Sequence, residues 1–262
     1  MIRRIITGLI LSPLAIGAIY WGDIPLLAAI LTLAILTAQE LFEMLIRQGR
    51  NPFTWMGYVG VALIIALAFS VEWRWLWSTT WMTLIMLSLL LAMSYEVITK
   101  RLWFPKSDII STIRVVGVVG LMFSSFIILR QADNGFFWLL FCVLLTWGSD
   151  TFALFGGKWM GRTPLAPSIS PNKTIEGSVF GILGSISIAA VFVYILHLPL
   201  LYLVIAGFIS IIGQLGDLHE SLTKRFFNVK DSSQLLPGHG GIYDRADSLL
   251  FVMPAILYLV VL

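Results

Sequence analysis

Apolar runs of near-spanning length recur along almost the whole chain, and they limit the fold more than any other feature. A helix needs about 20 apolar residues to cross a bilayer, and irregular backbone or an open sheet edge cannot face lipid. An all-α, polytopic integral membrane protein is therefore expected. Composition agrees, because 58% of the 262 residues are hydrophobic and 12% are charged, where soluble domains carry roughly 25% charged residues. The connections between runs are too short for an independent folded unit, so 1–262 reads as a single membrane domain.

The runs predict nine transmembrane helices, near Ile5–Tyr20, Ile24–Ile46, Trp55–Val71, Trp75–Tyr95, Thr112–Leu129, Phe136–Phe155, Ile175–Leu196, Pro199–Leu218 and Asp247–Leu262. The first run follows Arg3 and Arg4 as in a signal peptide. Pro13 interrupts it, however, and no small-residue cleavage site follows, so a retained helix is expected. Short cytoplasmic loops collect Lys and Arg, and alternate connections here hold 14 of the 17 basic residues. That asymmetry puts the N-terminus on the cytoplasmic side, together with the two longest polar connections, 156–174 and 219–246, and the C-terminus opposite. Trp55, Trp73, Trp75, Trp103 and Trp138 near predicted helix ends read as interfacial anchors.

A net charge of +3 spread over several loops gives no support to nucleic-acid binding. The lone Cys142 excludes an intramolecular disulfide, and with three scattered histidines a zinc site is not expected.

Polar residues break into the apolar pattern at three places. In Trp147-Gly148-Ser149-Asp150-Thr151, Asp150 lies within an apolar helix, where a carboxylate is costly unless paired or metal-bound; the residues alone leave open a structural hydrogen bond or a ligand. In Ser170-Pro171-Asn172-Lys173-Thr174-Ile175-Glu176-Gly177, Ser170 as a cap and Pro171 at the first helical position would open the seventh helix, leaving free N–H groups and a lysine for phosphate. The third segment closes an apolar helix with Asp217, Glu220 and Ser221, spaced to share one face. It continues through Lys224, Arg225, Lys230, Asp231 and His239-Gly240-Gly241 to Asp244, Arg245 and Asp247. Asp247 could equally be the N-cap of the last helix, and His239, between glycines, a turn residue. Carboxylates at Asp150, Asp217, Asp244 and Asp247, with cations at Lys173, Lys224, Arg225, Lys230 and Arg245, form a set suited to Mg²⁺ and phosphoryl-type transfer.

The stretch from Ser221 through Lys224-Arg225, Lys230-Asp231, Pro237 and His239-Gly240-Gly241 to Asp244-Arg245 and Asp247 resembles the signature of the phosphatidate cytidylyltransferase family, the CDP-diacylglycerol synthases. The segments at 147–150 and 170–177 are similar to the family's second landmark. The resemblance covers roughly 147–248; the N-terminal half matches only as membrane helices. It departs at Thr223 and Ala246, where larger apolar residues are usual, and at Leu154, where tyrosine is expected. N-terminal transmembrane helices over 1–135 and a catalytic half over 136–262 follow.

The resemblance implies a bacterial inner-membrane enzyme, a homodimer, acting on CTP and phosphatidic acid. It implies a magnesium site, with K⁺ as a candidate second ion among the carboxylates. Asp217 and Asp244 are expected to hold the metal, with Asp150 and Asp247 beside them, and Lys173, Lys224 and Arg225 to act at the reacting phosphates. Ser170, Asn172, Thr174, Ser221, Lys230, Arg245 and His239 are the remaining candidates for substrate contact. The rival readings are a CTP-dependent lipid-alcohol kinase and an ion transporter; the second would show inverted repeats, and none is visible.

Overall fold

The computed structural model describes residues 2–70, 80–236 and 240–261. Among them are nine helices: α1 (Ile2–Trp21), α2 (Asp23–Arg47), α3 (Thr54–Phe69), α4 (Thr80–Thr99), α5 (Asp108–Gln131), α6 (Gly135–Met160), α7 (Ile175–Leu196), α8 (Leu201–Phe226) and α9 (Tyr243–Val261). A two-stranded antiparallel hairpin, β1 (Pro164–Ala166) and β2 (Ser170–Thr174), lies between α6 and α7. Five of the helices, α2, α5, α6, α7 and α8, are long and apolar enough to cross a membrane. The chain is thus a nearly all-α membrane protein.

Three boundaries depart from the hydropathy reading, for one reason. Backbone hydrogen bonding continues past the residue where side chains turn polar whenever those side chains find partners in the protein. So α6 runs on through Gly156, Gly157 and Lys158, α8 carries Ser221, Lys224 and Arg225 within its last turns, and α9 begins at Tyr243. Asp247 is therefore inside α9 rather than its N-cap. The fourth predicted helix starts on residues outside the described ones. Ser170 and Pro171 do not open a helix: they sit in β2, paired through Ala166↔Ser170 and Pro164↔Thr174, and the cap of α7 is Thr174, whose hydroxyl accepts from Gly177 N at 3.1 Å.

The packing explains how distant motifs meet. Helix α5 is central, burying Val115, Val119, Met122, Phe123 and Ile127 against α2, α3 and α9. Helices α6 and α7 approach closely along small residues: a Cβ at Gly156 would overlap Phe180, and one at Gly184 would overlap Phe152. Gly216 does the same for α8 against α9, where a Cβ would strike the Asp247 carbonyl. A small apolar cluster of Val97, Ala166, Ile169, Leu218 and Leu222 seats the hairpin on α4 and α8, which fixes Lys173 of β2 beside α8.

Candidate active site

A cavity of about 670 Å³ opens between α6, the hairpin, α7 and α8; Asp150, Ser170, Asn172, Lys173, Thr174 and Asp217 line it. Six sequence candidates from three elements thus share one wall. The hairpin is held for this purpose by Glu176, which accepts from Arg162 N at 3.1 Å and from Thr163 N. Because Thr174 rather than Ser170 caps α7, the first turn of that helix, with Gly177, faces the cavity directly. That leaves its dipole end toward any bound phosphate.

Helix α8 supplies the acidic side. Asp217, Glu220, Ser221 and Lys224 recur at helical spacing along one face, as the sequence predicts. Asp217, Glu220 and Asp247 each present a carboxylate oxygen, and these atoms all lie within 4.8 Å of one another. Two lysines flank them. Lys173 Nζ pairs with Asp217 Oδ2 at 2.5 Å, and Lys224 Nζ lies 2.6 Å from Glu220 Oε1 and 2.9 Å from Asp244 Oδ1. Lys224 and Glu220 are largely inside the protein, whereas the Lys173–Asp217 pair is more open, with side-chain exposures of 26% and 33%.

Asp244 is bonded within the α8–α9 connection and reaches the carboxylates of α8 through Lys224. Its Oδ1 is taken by Lys224, and its Oδ2 accepts from Ser232 N (3.0 Å) and Gly241 N (2.8 Å), with Ser232 Oγ 3.0 Å away. Those bonds close the α8–α9 connection, in which Gly240 takes φ +81 and leaves no room for a Cβ beside Asp244. Glu220, on the same helical face as Asp217, lies beside it and Asp247.

The other candidates scatter. Arg225 Nε donates to Ile169 O at 3.2 Å, tying the end of α8 to the hairpin. Lys230 lines a second cavity of about 470 Å³ with Glu43, Arg47, Asp231 and Ser233. Ser221 is buried in α8, Arg245 is exposed on α9, and His239 lies outside the described residues.

Two further polar networks are built from residues outside the candidate set, one at the cavity and one between α4, α5 and α8. Gln214 accepts from Ser178 Oγ and donates to Ser178 O and Ser210 Oγ, each at 3.2 Å; Ser210 in turn meets Ser149 at 2.7 Å. In α4 and α5, buried Glu96 binds Arg114 at 2.8 Å, His219 Nε2 at 3.1 Å and Trp103 N at 2.9 Å. Arg114 further stacks over Trp103 and Phe104. The overlooked signal was a charged residue inside an apolar run of the N-terminal half, where such residues are rare without a partner or a task.

The donor set suits a hard divalent cation. Three clustered carboxylates, one of them buried, are flanked by Lys173 and Lys224 and offer the hard oxygen ligands that such a cation takes. The cluster contains no histidine or cysteine, which argues for Mg²⁺ over a soft metal.

The model of the cytidylyltransferase family matches residues 2–262. A protein of Bacillus subtilis named phosphatidate cytidylyltransferase is 34% identical over 100% of this chain and 98% of its own length. One of the same name from Staphylococcus haemolyticus is 35% identical over 98% of each, and one from Staphylococcus epidermidis is 43% identical over 64% of each.

Proposed function

The chain belongs to the cytidylyltransferase family, and we infer that it transfers the cytidylyl group of CTP to phosphatidic acid, forming CDP-diacylglycerol and releasing pyrophosphate. The observation that carries the reading is the carboxylate trio Asp217, Glu220 and Asp247 beside Lys173, Lys224 and a 670 Å³ cavity with a helix N-terminus in its wall. The phosphomonoester oxygen of phosphatidic acid is already anionic near neutral pH, so its in-line attack on the α-phosphorus of CTP needs no strong base. The main barrier is electrostatic: two polyanions must approach, and charge builds on the leaving pyrophosphate.

Each side chain then has a task. Asp217, Glu220 and Asp247 would hold Mg²⁺, which supplies charge neutralisation at the transferring phosphate. Lys173, on a strand rather than a free loop, would exchange Asp217 for a substrate phosphate in the cavity that both residues line. Lys224 stays fixed between Glu220 and Asp244 and keeps α8 and α9 at constant separation. The α7 N-terminus and the Ser170, Asn172 and Thr174 side chains offer donors to the remaining phosphate oxygens.

The same reading extends to nine membrane spans from the apolar runs and to motif loops on the cytoplasmic side from the loop distribution of Lys and Arg; a homodimer and a bacterial inner (cytoplasmic) membrane rest on the family resemblance. K⁺ as a second ion rests on the family resemblance. The test is incubation of purified protein in detergent with labelled CTP, phosphatidic acid and Mg²⁺. Labelled CDP-diacylglycerol and pyrophosphate are expected; a phosphorylated lipid alcohol with CDP would replace this reading by a kinase.

A further inference from the structure

Glu40 lies in α2, far along the chain from every motif, and is only 3% exposed. A carboxylate inside an apolar helix is costly unless partnered, and here four donors share it evenly. Oε1 accepts from Ser233 Oγ at 2.7 Å and from Ile242 N at 2.8 Å. Oε2 accepts from Ser232 Oγ at 2.7 Å and from Tyr243 N at 2.9 Å. All four donors lie in the connection from α8 to α9 or on the first residue of α9.

Two of those donors are backbone N–H groups at the very start of α9, which have no partner within the helix. Glu40 therefore caps α9 from a distant part of the chain, with its negative charge at the positive end of the helix dipole. Gly241 makes the approach possible, because a Cβ there would overlap both Glu40 oxygens and Ser232 Oγ. The contacts continue into the site: Ser232 Oγ is 3.0 Å from Asp244 Oδ2, Asp244 Oδ1 holds Lys224, and Lys224 holds Glu220. Three residues after Asp244, on the same helix, is Asp247 of the carboxylate trio.

Resting on the cytidylyl-transfer reading, we propose that Glu40 is a positioning residue for the reaction: it locks the α8–α9 connection and the first turn of α9, so that Lys224, Glu220 and Asp247 keep the geometry that handles the phosphates. The N-terminal half is then part of the catalytic apparatus rather than a set of membrane anchors. The residue type follows from the donor count. Each oxygen takes one serine hydroxyl and one backbone N–H; a hydroxyl can turn to accept from a glutamine NH₂ but a backbone N–H cannot, so whichever way the amide turned, Ile242 N or Tyr243 N would lose its acceptor. Aspartate, one methylene shorter, would not reach both the serines and the α9 amides.

The experiment compares full-length wild type, Glu40→Gln, Glu40→Asp and Ser233→Ala in detergent. It reads kcat and KM for CTP and phosphatidic acid, thermal stability, and hydrogen exchange at the Ile242 and Tyr243 amides. If wild type itself makes no CDP-diacylglycerol, the reaction reading fails, and the exchange data still report whether Glu40 holds the segment. With wild type active, Glu40→Gln should lower kcat about 10- to 100-fold. KM values should stay within roughly twofold, and exchange should accelerate at Ile242 and Tyr243 but not in α6 or α7. Glu40→Asp should fall between, and Ser233→Ala should shift the same readouts less.

Wild-type kcat in Glu40→Gln overturns the proposal. So does exchange that accelerates through all helices alike, with activity falling only as the folded fraction falls. Should Glu40→Gln not fold, Ser233→Ala decides: wild-type kcat and wild-type exchange at Ile242 refute the positioning role, and a local loss of protection with lowered kcat supports it.

Discussion

Replacing Lys173 by Met separates chemistry from folding, because the two consequences differ widely in size. The Lys173–Asp217 pair is short, at 2.5 Å, but its side chains are 26% and 33% exposed. The exposure lies along the side chains while Lys173 Nζ itself is covered, and such a part-exposed pair contributes about 1 kcal/mol to stability, equivalent to a fall of about 2–4 °C in Tm for a chain of this size. In the reaction, by contrast, the ammonium faces charge that develops as pyrophosphate leaves. Removing one such donor costs roughly 10²–10³ in rate, about 2.7–4 kcal/mol. Lys173→Met should therefore lose about two to three orders of magnitude in kcat/KM for labelled CDP-diacylglycerol formation, while its melting curve in detergent stays near wild type. Lys173→Arg keeps the charge but changes its shape, and should fall between. Retention of more than about a tenth of wild-type kcat/KM in Lys173→Met, against the loss expected for one donor, would refute the assignment of Lys173 to the phosphates. So would a loss of stability large enough to explain the lost activity.

Two further outcomes follow from contacts within the protein. Gly241→Ala places a methyl group on both Glu40 oxygens and Ser232 Oγ; activity should drop at least as far as in Glu40→Gln, and proteolysis between α8 and α9 should speed up, as a cleavage time course would show. Glu96→Gln leaves Arg114 and His219 buried beside a neutral partner. Losing one side of a buried pair costs about 3–5 kcal/mol, so this variant should show a large Tm loss, with activity per folded molecule close to wild type.

Much of this was legible in the sequence, for physical reasons that also mark where legibility ended. Apolar runs gave the helices and their order, since lipid forces the backbone to satisfy itself within each one. Asp150, Lys173 and Asp217 stood out because charges are costly near the bilayer, and the structure gathers them around one cavity. The helix ends were misplaced wherever polar side chains were partnered inside the protein, as Glu220, Lys224 and Asp244 are. The hairpin at 164–174 escaped notice because Ser170-Pro171 also reads as a helix start, and the choice falls to Thr174 and to the packing of Ile169 on α8. Glu220 beside Asp217 follows from helical spacing, whereas the fold of the α8–α9 connection back on Asp244 is a tertiary fact with no local spacing signal. Glu40 was visible only as a charge in an apolar run, with nothing in the sequence to name its partners.

The central claim is that Asp217, Glu220 and Asp247 form the cation-holding centre, and the Mg²⁺ dependence of CDP-diacylglycerol formation tests it most directly. Initial rates against free Mg²⁺ would be compared for wild type, Glu220→Gln and the exposed control Glu43→Gln. The account predicts that Glu220→Gln raises the Mg²⁺ needed for half-maximal rate about 10-fold or more, while Glu43→Gln follows wild type. A wild-type Mg²⁺ curve and maximal rate in Glu220→Gln would contradict it and move the cation away from the face of α8.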